Sequence, residues 1–345
     1  MSGSSLDGLD LCLTRFWSSV KQLNHQIVEA KTIQFPDHWL EKLSNSHRLS
    51  AYELYLLDRE FGQYLGIQSK LFLEENQLQA NLIASHGHTV FHQPKDQLSV
   101  QIGHGAYIAA ASGLDVVNDL RSGDLAYGGE GAPLVPLAEQ WLFKSNSCFL
   151  NLGGIANLSI HKKDGKVIGY DVCGANQILN WISNTYFGKD YDQDGILASQ
   201  GKVIKELLAS LNQLEFYQEE PPRSLGREDV EAKLIPLCKP YSDGSDLLCT
   251  FTHHIADQIS IEFERNRAKD QEVLLSGGGS YNHYLLQILK EKGVKIKLPD
   301  PQIIDFKEAL CFALLGYLRI QGIPNSLSSV TGARKDVVNG SHFVA

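Results

Sequence analysis

The stretch CFLNLGG at residues 148–154 decides how this chain is organised. A short apolar run that ends in paired glycines is typical of a buried strand followed by a tight turn. Two further strand-like segments, 155–160 and 166–172, come next, and stretches with helical periodicity follow them. The stretch therefore predicts the start of an α/β unit that opens with a strand hairpin.

The same order of segments occurs once before this stretch. Residues 9–17 and 26–35 predict a strand hairpin, and residues 49–75 have the apolar spacing of a long helix. A Gly/Ser/Asp turn at residues 1–8 precedes the hairpin, and because such turns normally follow a strand, we expect a first strand to be missing upstream. With 345 residues the chain is too long for one hydrophobic core. We therefore predict two similar α/β halves, each with a glycine-rich turn near its front.

Two predicted helices mark the boundaries of the second half. One covers residues 133–144, and the other ends at Ile320 and begins at Asp305, which has the spacing of a capping box with Glu308. The predicted domains are domain I, residues 1–132 with 322–345, and domain II, residues 133–321.

Charge and cysteine content exclude several classes of function. A net charge of −9 and a pI near 5.7 argue against a nucleic-acid-binding surface, although backbone N–H groups can still hold a nucleotide. The six cysteines show no CxxC spacing, which favours reduced thiols. No apolar run approaches the roughly 20 residues of a membrane span, and no signal pattern starts the chain. We expect a cytoplasmic protein without nucleic-acid or membrane partners.

Three turns rich in small residues are candidates for a nucleotide site. Glycines bring backbone N–H groups close to an anion, and hydroxyl side chains add donors. The alternative, that each is only a tight turn, weakens because two of the turns open the two similar halves. Walker and G-x-G-x-x-G motifs are absent from the sequence, which disfavours P-loop and Rossmann folds. The predicted nucleotide contacts are Gly3, Ser4, Ser5, Asp7 (also expected to hold Mg²⁺ through water), Gly8, Asn151, Gly153, Gly154, Asn157, Gly277, Gly278, Gly279 and Asn282.

Three other features predict a polar ligand. Residues 118–136 combine Arg, Asp and several glycines after a strand, which favours binding over the alternative of a plain interdomain loop. Residues 85–94 contain three histidines, for which we expect hydrogen bonds to a ligand rather than a metal, because Cys and carboxylates are not close in sequence. Asp171 ends a predicted strand, where a carboxylate can act as general base. The alternative is that Asp171 caps a helix starting near Asn176.

Seven segments together resemble the anhydro-N-acetylmuramic acid kinase family of the sugar kinase/actin/Hsp70 superfamily. They span essentially the whole chain, and the block at 121–136 is highly specific. His88 stands where the family has Gln, and the loop between Asp171 and Asn176 departs from the family's usual sequence. The matching segments are 3–10, 85–94, 121–136, 151–157, 225–228, 277–282 and 325–333.

The resemblance implies a two-domain actin-like/ribonuclease H-like ATPase fold with duplicated mixed sheets and an interdomain cleft. It also implies an enzyme of cell-wall recycling and amino sugar catabolism that uses ATP and Mg²⁺. Such an enzyme would open 1,6-anhydro-N-acetylmuramic acid with water and phosphorylate O6, giving N-acetylmuramic acid 6-phosphate. Asp171 would activate the water, and the residues expected to line the sugar are His86, Arg121, Asp124, Arg227 and Glu308.

Two other functions stay open on the sequence alone. The altered loop after Asp171 favours a kinase of the same superfamily that acts on another sugar. A non-catalytic actin-like protein would bind ATP without turnover, but the completeness of the sugar-side cluster disfavours it. The expected partners are ATP and a small sugar, and a homodimer is left open.

Overall fold

The computed structural model describes residues 1–2, 8–19, 22–220 and 223–345, and of Ser19, Gln22 and Arg227 it describes the backbone alone. Its strands follow the predicted rhythm, with a hairpin at the front of each half. In chain order they are β1 (Leu9–Ser19), β2 (Gln22–Ile33), β3 (Ile83–Ala84), β4 (His88–Gln93), β5 (Leu98–Ile102), β6 (Val116–Asn118), β7 (Cys148–Leu152), β8 (Ile155–His161), β9 (Val167–Gly174), β10 (Glu272–Ser276), β11 (Lys295–Lys297) and β12 (Ser341–Phe343).

Helices lie between most of these strands along the chain. They are α1 (Asp37–Ser44), α2 (Ala51–Glu75), α3 (Gly105–Ser112), α4 (Ser122–Ala126), α5 (Val135–Leu142), α6 (Asn176–Phe187), α7 (Ile196–Gln200), α8 (Lys205–Asn212), α9 (Arg227–Asp229), α10 (Ile235–Cys238), α11 (Gly244–Arg265), α12 (His283–Glu291), α13 (Pro301–Ile320) and α14 (Ser328–Thr331). A π-helical segment, Val230–Leu234, joins α9 to α10. Across the described parts of the chain, none of these helices is long and apolar enough to cross a membrane.

The chain divides into two compact units. The N-terminal unit comprises Met1–Lys144 and Phe306–Ala345, and the central unit comprises Ser145–Asp305. These divisions differ from the predicted domain boundaries, which follow residues 132 and 321. The difference concerns α5 and most of α13, which belong to the N-terminal unit because their side chains pack there. Lys307 on α13, for example, forms a buried ion pair with Glu139 on α5.

The central unit is built on a five-stranded sheet with the order β11-β10-β7-β8-β9. β8 is antiparallel to both β7 and β9, whereas β7, β10 and β11 run parallel to one another. Antiparallel neighbours need only tight turns, but the parallel strands require crossovers, which the helices α6 to α12 supply. This order, in which only the second strand is reversed, is that of the ribonuclease H-like fold. The predicted ribonuclease H-like fold is thereby confirmed for the central unit.

The middle strands of this sheet are fully buried, which is why they are apolar. Leu150 on β7 and Leu275 on β10 have no exposed surface, and Phe251 on α11 is buried with them in one apolar cluster. Such a core packs densely and tolerates little displacement. The strand ends of the central unit are therefore held on a rigid platform.

The N-terminal unit contains the other predicted hairpin, formed by β1 and β2 with a register shift between Leu13 and Thr14. Within the described residues, β3 and β12 both pair with β6, parallel and antiparallel respectively, and β4 pairs with β5. The predicted long helix is confirmed as α2. It begins with a capping box between Ser50 and Glu53 and buries Phe61 completely in the core.

The prediction that α13 begins at Asp305 is wrong. The helix begins at Pro301, whose fixed φ suits the first helical turn, and the Asp300 carboxylate accepts a hydrogen bond from the Gln302 N–H at 2.9 Å. Asp305 lies inside the helix, where its carboxylate accepts a hydrogen bond from the Tyr281 hydroxyl at 2.9 Å. Acidic residues three apart also occur within helices, so this spacing alone could not locate the helix start.

Candidate active site

A row of polar residues crosses the sheet of the central unit beside the C-terminal ends of β7 and β10. Asp171 on β9 pairs with Asn157 on β8, and Asn157 pairs in turn with Asn151 on β7. Asn151 pairs with Ser276 on β10, whose hydroxyl donates to Asn151 Oδ1 at 3.2 Å. Because directly paired residues point to the same face of a sheet, these four side chains form one polar row on that face.

Asp171 is the carboxylate of this row, and neutral groups donate to it. Its Oδ2 accepts hydrogen bonds from the Leu225 N–H at 2.9 Å and from the Ser224 hydroxyl at 3.4 Å. Burial raises the pKa of Asp171, and hydrogen bonds from Leu225, Ser224 and Asn157 oppose this shift. A carboxylate with a raised pKa takes up a proton more readily than an exposed aspartate, as a general base must.

The alternative that Asp171 caps the helix near Asn176 is wrong. α6 does begin at Asn176, but its N-cap residue is Ala175, and no side chain caps the helix. The carboxylate of Asp171 is bonded to residues 224–225 instead.

The predicted glycine turn between β7 and β8 is fixed by the first turn of α6. The carbonyl of Gly154 accepts hydrogen bonds from the N–H groups of Ala175 and Gln177, at 2.9 and 3.1 Å. The carbonyl of Gly153 accepts one from the Asn176 N–H at 3.1 Å. The turn therefore has a defined conformation before any ligand binds.

The predicted turn after β10, residues 277–279, contacts the end of β7 next to the glycine turn at residues 153–154. Gly277 has φ +80° and ψ 159°, a conformation essentially restricted to glycine, and a Cβ there would lie 2.8 Å from the Leu152 carbonyl oxygen. A Cβ on Gly279 would lie 2.7 Å from the Leu152 Cβ. A Cβ on Gly278, by contrast, would meet nothing nearer than Asn176 Nδ2, at 3.9 Å. Packing therefore requires glycine at 277 and 279, whereas position 278 borders open space.

The other predicted nucleotide contacts have local partners or are not described. Asn282 caps α12, because its Oδ1 accepts a hydrogen bond from the Leu285 N–H at 3.0 Å. Gly8 has φ +152°, and a Cβ there would lie 2.8 Å from the Ile33 carbonyl oxygen. Over the described residues, no group of three or more His, Cys, Asp or Glu side chains could hold a metal ion. Outside the described residues lie Gly3, Ser4, Ser5 and Asp7, and with Asp7 the predicted magnesium ligand.

In the N-terminal unit, His86 and Arg121 form a hydrogen-bonded pair. Arg121 Nη2 lies 2.8 Å from His86 Nε2, and because a guanidinium only donates, Nε2 is the acceptor. His86 Nδ1, which is 3.0 Å from the Gly87 carbonyl oxygen, therefore carries the proton. Burial, and after it the charge of Arg121, lowers the pKa of His86 well below its usual value. The imidazole is thus neutral, with its tautomer fixed.

Arg121 is anchored on a second side as well. Its Nη1 donates to the Gly131 carbonyl at 2.8 Å, which ties the guanidinium to the glycine-rich loop between α4 and α5, residues 127–134. Burial lowers the pKa of Arg121, and the charge of Glu308, which is exposed on α13, opposes this shift. Arg121 Nε is buried without a hydrogen-bond partner among the described residues. Such a donor is rare in native proteins and calls for a water or ligand.

Asp124 is fully buried and binds to protein groups. Its Oδ1 accepts hydrogen bonds from the hydroxyls of Ser326 and Thr331, both at 2.7 Å. Its Oδ2 accepts one from the Gly131 N–H at 2.8 Å. Asp124 therefore joins the glycine-rich loop to the segment 326–331.

We expect the Asp124→Asn variant to lower the free energy of unfolding by about 1–3 kcal/mol, because the amide turns one buried acceptor into a donor facing a donor. Chemical denaturation measures the change. The matched control is Asp336→Asn, since Asp336 also accepts two hydrogen bonds from Ser328 but is exposed. Its effect should stay within about 0.5 kcal/mol. Equal stability of the two variants would contradict the structural role of Asp124.

The segment that holds Asp171, residues 223–225, is not among the site residues predicted from the sequence. Ser224 and Leu225 contact its carboxylate, and Arg223 contacts its backbone, although these residues are more than fifty positions away in sequence. The matching segment 225–228 begins at Leu225 and was the signal available. Arg227, predicted to line the sugar, begins α9, and its side chain is not described.

Two solved structures align with most of this chain at low sequence identity. An activator of 2-hydroxyisocaproyl-CoA dehydratase from Clostridium difficile with bound ADPNP aligns at 12% identity and a TM-score of 0.41, over 90% of this chain and 96% of that chain. A ROK hexokinase from Thermus thermophilus aligns at 10% identity and a TM-score of 0.36, over 90% of this chain and 100% of that chain.

Sequence relatives cover nearly the whole chain. A protein from Mannheimia succiniciproducens named anhydro-N-acetylmuramic acid kinase is 33% identical, over 99% of this chain and 97% of its own length. One of the same name from Bacillus cereus (strain 03BB102) is 31% identical, over the same shares of the two chains. The family model described as anhydro-N-acetylmuramic acid kinase matches residues 1–345. The chain therefore belongs to the anhydro-N-acetylmuramic acid kinase family of phosphotransferases.

Proposed function

We propose that this protein opens 1,6-anhydro-N-acetylmuramic acid with water and transfers the γ-phosphoryl group of ATP to O6, which gives N-acetylmuramic acid 6-phosphate. The family supplies the substrate class. The observation that carries the reaction type is the setting of Asp171, a half-buried carboxylate whose pKa is raised and whose partners are neutral donors. It stands in one polar row with residues of the glycine turns, where the phosphates of ATP are proposed to bind.

The reaction balances with one base. Asp171 accepts a proton from water as the water oxygen bonds to C1 of the sugar, and the bond between C1 and O6 breaks. The freed O6 takes the γ-phosphoryl group, and ADP leaves. Asp171 then returns its proton to solvent. Anhydro-sugar, water and ATP are consumed, and one sugar phosphate and ADP are formed.

Nucleotide binding is assigned to the glycine turns at 153–154 and 277–279. Backbone N–H groups at such turns stabilise phosphate charge without needing a basic surface, in keeping with the net charge of −9. Mg²⁺ usually binds through one or two carboxylates and the substrate phosphates, so we propose that it arrives with ATP. Among the described residues, no cluster of His, Cys, Asp or Glu side chains could hold the ion without the nucleotide. Asp7 remains the predicted water-mediated ligand.

Sugar binding is assigned to the N-terminal unit. The neutral His86 and the anchored Arg121 offer a preset polar surface, and Glu308 presents an exposed carboxylate. Asp124, predicted to line the sugar, is proposed to act indirectly by holding the glycine-rich loop in place. Arg227 stays a predicted sugar contact. We further propose that the reaction takes place in the cytoplasm and serves peptidoglycan recycling and amino sugar catabolism; a homodimer stays a prediction.

A substrate panel tests this proposal against its alternatives. ADP release is followed with Mg²⁺-ATP and the anhydro-sugar, with N-acetylmuramic acid, which has a free 6-hydroxyl, and with no sugar. We expect release only with the anhydro-sugar. Release only with the free 6-hydroxyl sugar would favour an ordinary sugar kinase. ATP binding without release in any reaction would favour the non-catalytic ATP-binding protein.

The rate of turnover should depend on pH through Asp171. Because a general base must be ionised, and burial raises the pKa of Asp171, we expect kcat to fall on the acid side with a midpoint above the usual value of about 4. The measurement is kcat at saturating ATP and sugar between mildly acidic and neutral pH. Residual turnover of Asp171→Asn should lack this decline, and the same decline in that variant would assign it to another group.

A further inference from the structure

We propose that Arg223 is the positioning residue for Asp171: its guanidinium anchors the segment 223–225 against β9 and so delivers two hydrogen-bond donors to the Asp171 carboxylate. This inference rests on the proposed role of Asp171 as the base. Arg223 does not touch a reacting atom in this proposal, and it acts only through the segment it anchors.

The first step is that Arg223 is held rigidly. Its side chain is 2% exposed, and its Nη2 donates to Glu262 Oε1 at 2.7 Å, where the Glu262 side chain is 1% exposed. Its Nη1 donates to the carbonyls of Glu219 at 3.1 Å and Phe216 at 3.4 Å. The guanidinium also lies 4.8 Å from the centre of the Phe216 ring. A planar fork fixed on several sides has little freedom to move.

The second step is that Arg223 is hydrogen-bonded to the backbone of β9 at Asp171. The Asp171 N–H donates to the Arg223 carbonyl at 3.0 Å, and Arg223 Nε lies 3.4 Å from the Asp171 carbonyl as its donor. These two hydrogen bonds tie residue 223 to the backbone of residue 171. The next two residues then bring the Ser224 hydroxyl and the Leu225 N–H to Asp171 Oδ2.

The third step concerns charge. A guanidinium bonded directly to the Asp171 carboxylate would favour its ionised form and weaken it as a base. Here the guanidinium forms an ion pair with Glu262 instead. Glu262 also accepts a hydrogen bond from the Tyr170 hydroxyl at 2.7 Å and forms a second ion pair with Arg265 at 3.2 Å. Arg223 thus orients the base through neutral donors while its own charge is neutralised elsewhere.

The competing explanation is that Arg223 only balances the buried charge of Glu262. Arg265 provides the matched control, because it contacts the same carboxylate, is 31% exposed and has no hydrogen bond to the segment 223–225 among the described contacts. Arg223→Lys keeps the positive charge but loses the planar fork, so it separates positioning from charge balance.

The experiment compares Arg223→Lys and Arg265→Met with the wild-type enzyme. One readout is kcat and KM; the other is the pKa of Asp171, from carboxyl ¹³C NMR of aspartate-labelled protein, with the signal assigned by its loss in Asp171→Asn. For Arg223→Lys we expect kcat to fall about 10- to 100-fold with KM values nearly unchanged, since small displacements of a catalytic group have effects of this size. The pKa of Asp171 should rise, because donors that opposed the effect of burial are lost. Arg265→Met should change neither quantity.

The inference is overturned if Arg223→Lys leaves the pKa of Asp171 and kcat unchanged, or if Arg265→Met alters both to the same extent. Should Arg223→Lys fail to fold, Glu262→Gln loosens the same anchor with little change of shape and is expected to shift both quantities in the same direction. Failure of the proposed function looks different. Asp171→Asn would then keep full turnover, while the NMR titration would still report whether Arg223 governs Asp171.

Discussion

The Asp171→Asn variant should lose about 10²- to 10⁴-fold in kcat, the usual contribution of a general base. The amide oxygen can still accept the Leu225 N–H, so the local structure should persist, but asparagine cannot take a proton from water. KM for ATP should stay nearly unchanged, because the glycine turns are untouched. Steady-state kinetics with ADP release as the signal measures both quantities.

The control for this variant is Ser224→Ala. It removes only the longer of the two hydrogen bonds from residues 224–225 to Asp171, that of 3.4 Å, and leaves the carboxylate in place. We expect its kcat to remain within about tenfold of the wild-type value, in line with one weak neutral hydrogen bond. If Asp171→Asn turned over as fast as Ser224→Ala, Asp171 would not be the base.

The second large effect is a contrast between two neighbouring glycines: replacement by alanine should destabilise the protein at position 277 but not at position 278. Gly277→Ala should destabilise the protein by about 1–3 kcal/mol or more, because alanine does not tolerate the backbone conformation at φ +80° and its Cβ would collide with Leu152. Gly278→Ala should leave stability unchanged, since its Cβ meets nothing nearer than 3.9 Å. If ATP lies against this turn, the methyl group that Gly278→Ala adds should raise KM for ATP by about tenfold.

Thermal unfolding and ATP titration of both variants separate these two roles. Unchanged stability of Gly277→Ala would contradict the contact between the two glycine turns. Unchanged KM for ATP in Gly278→Ala would show that the open side of position 278 does not face the nucleotide. The pair therefore distinguishes a glycine required by folding from one proposed to be required by a ligand.

The fold was predictable where local signals are strong. An apolar run that ends in paired glycines located β7, and apolar residues at helical spacing located α2. Local signals failed at α13, because an acidic pair inside a helix resembles a cap. The unit boundaries also differed, since the assignment of α5 and α13 depends on buried side-chain contacts between residues distant in sequence.

The candidate site was predictable only in part, for the same reason. Asp171 was identified because it ends a predicted strand, where a carboxylate can act as a general base, and the glycine turns were identified by composition. The partners of Asp171 could not be found this way, since Leu225 reaches it only once the chain has folded back over fifty positions. The pairing of Asn157 with Asp171 could not be predicted either, because strand register cannot be read from isolated residues.

The central claim, that one active site both opens the anhydro ring and phosphorylates the sugar, is tested most directly by the mass of the product. The reaction is run with Mg²⁺-ATP and 1,6-anhydro-N-acetylmuramic acid, and the product is analysed by mass spectrometry. A product heavier than the substrate by one phosphoryl group plus one water is the predicted result. A gain of the phosphoryl group alone, or of water alone, would contradict the account.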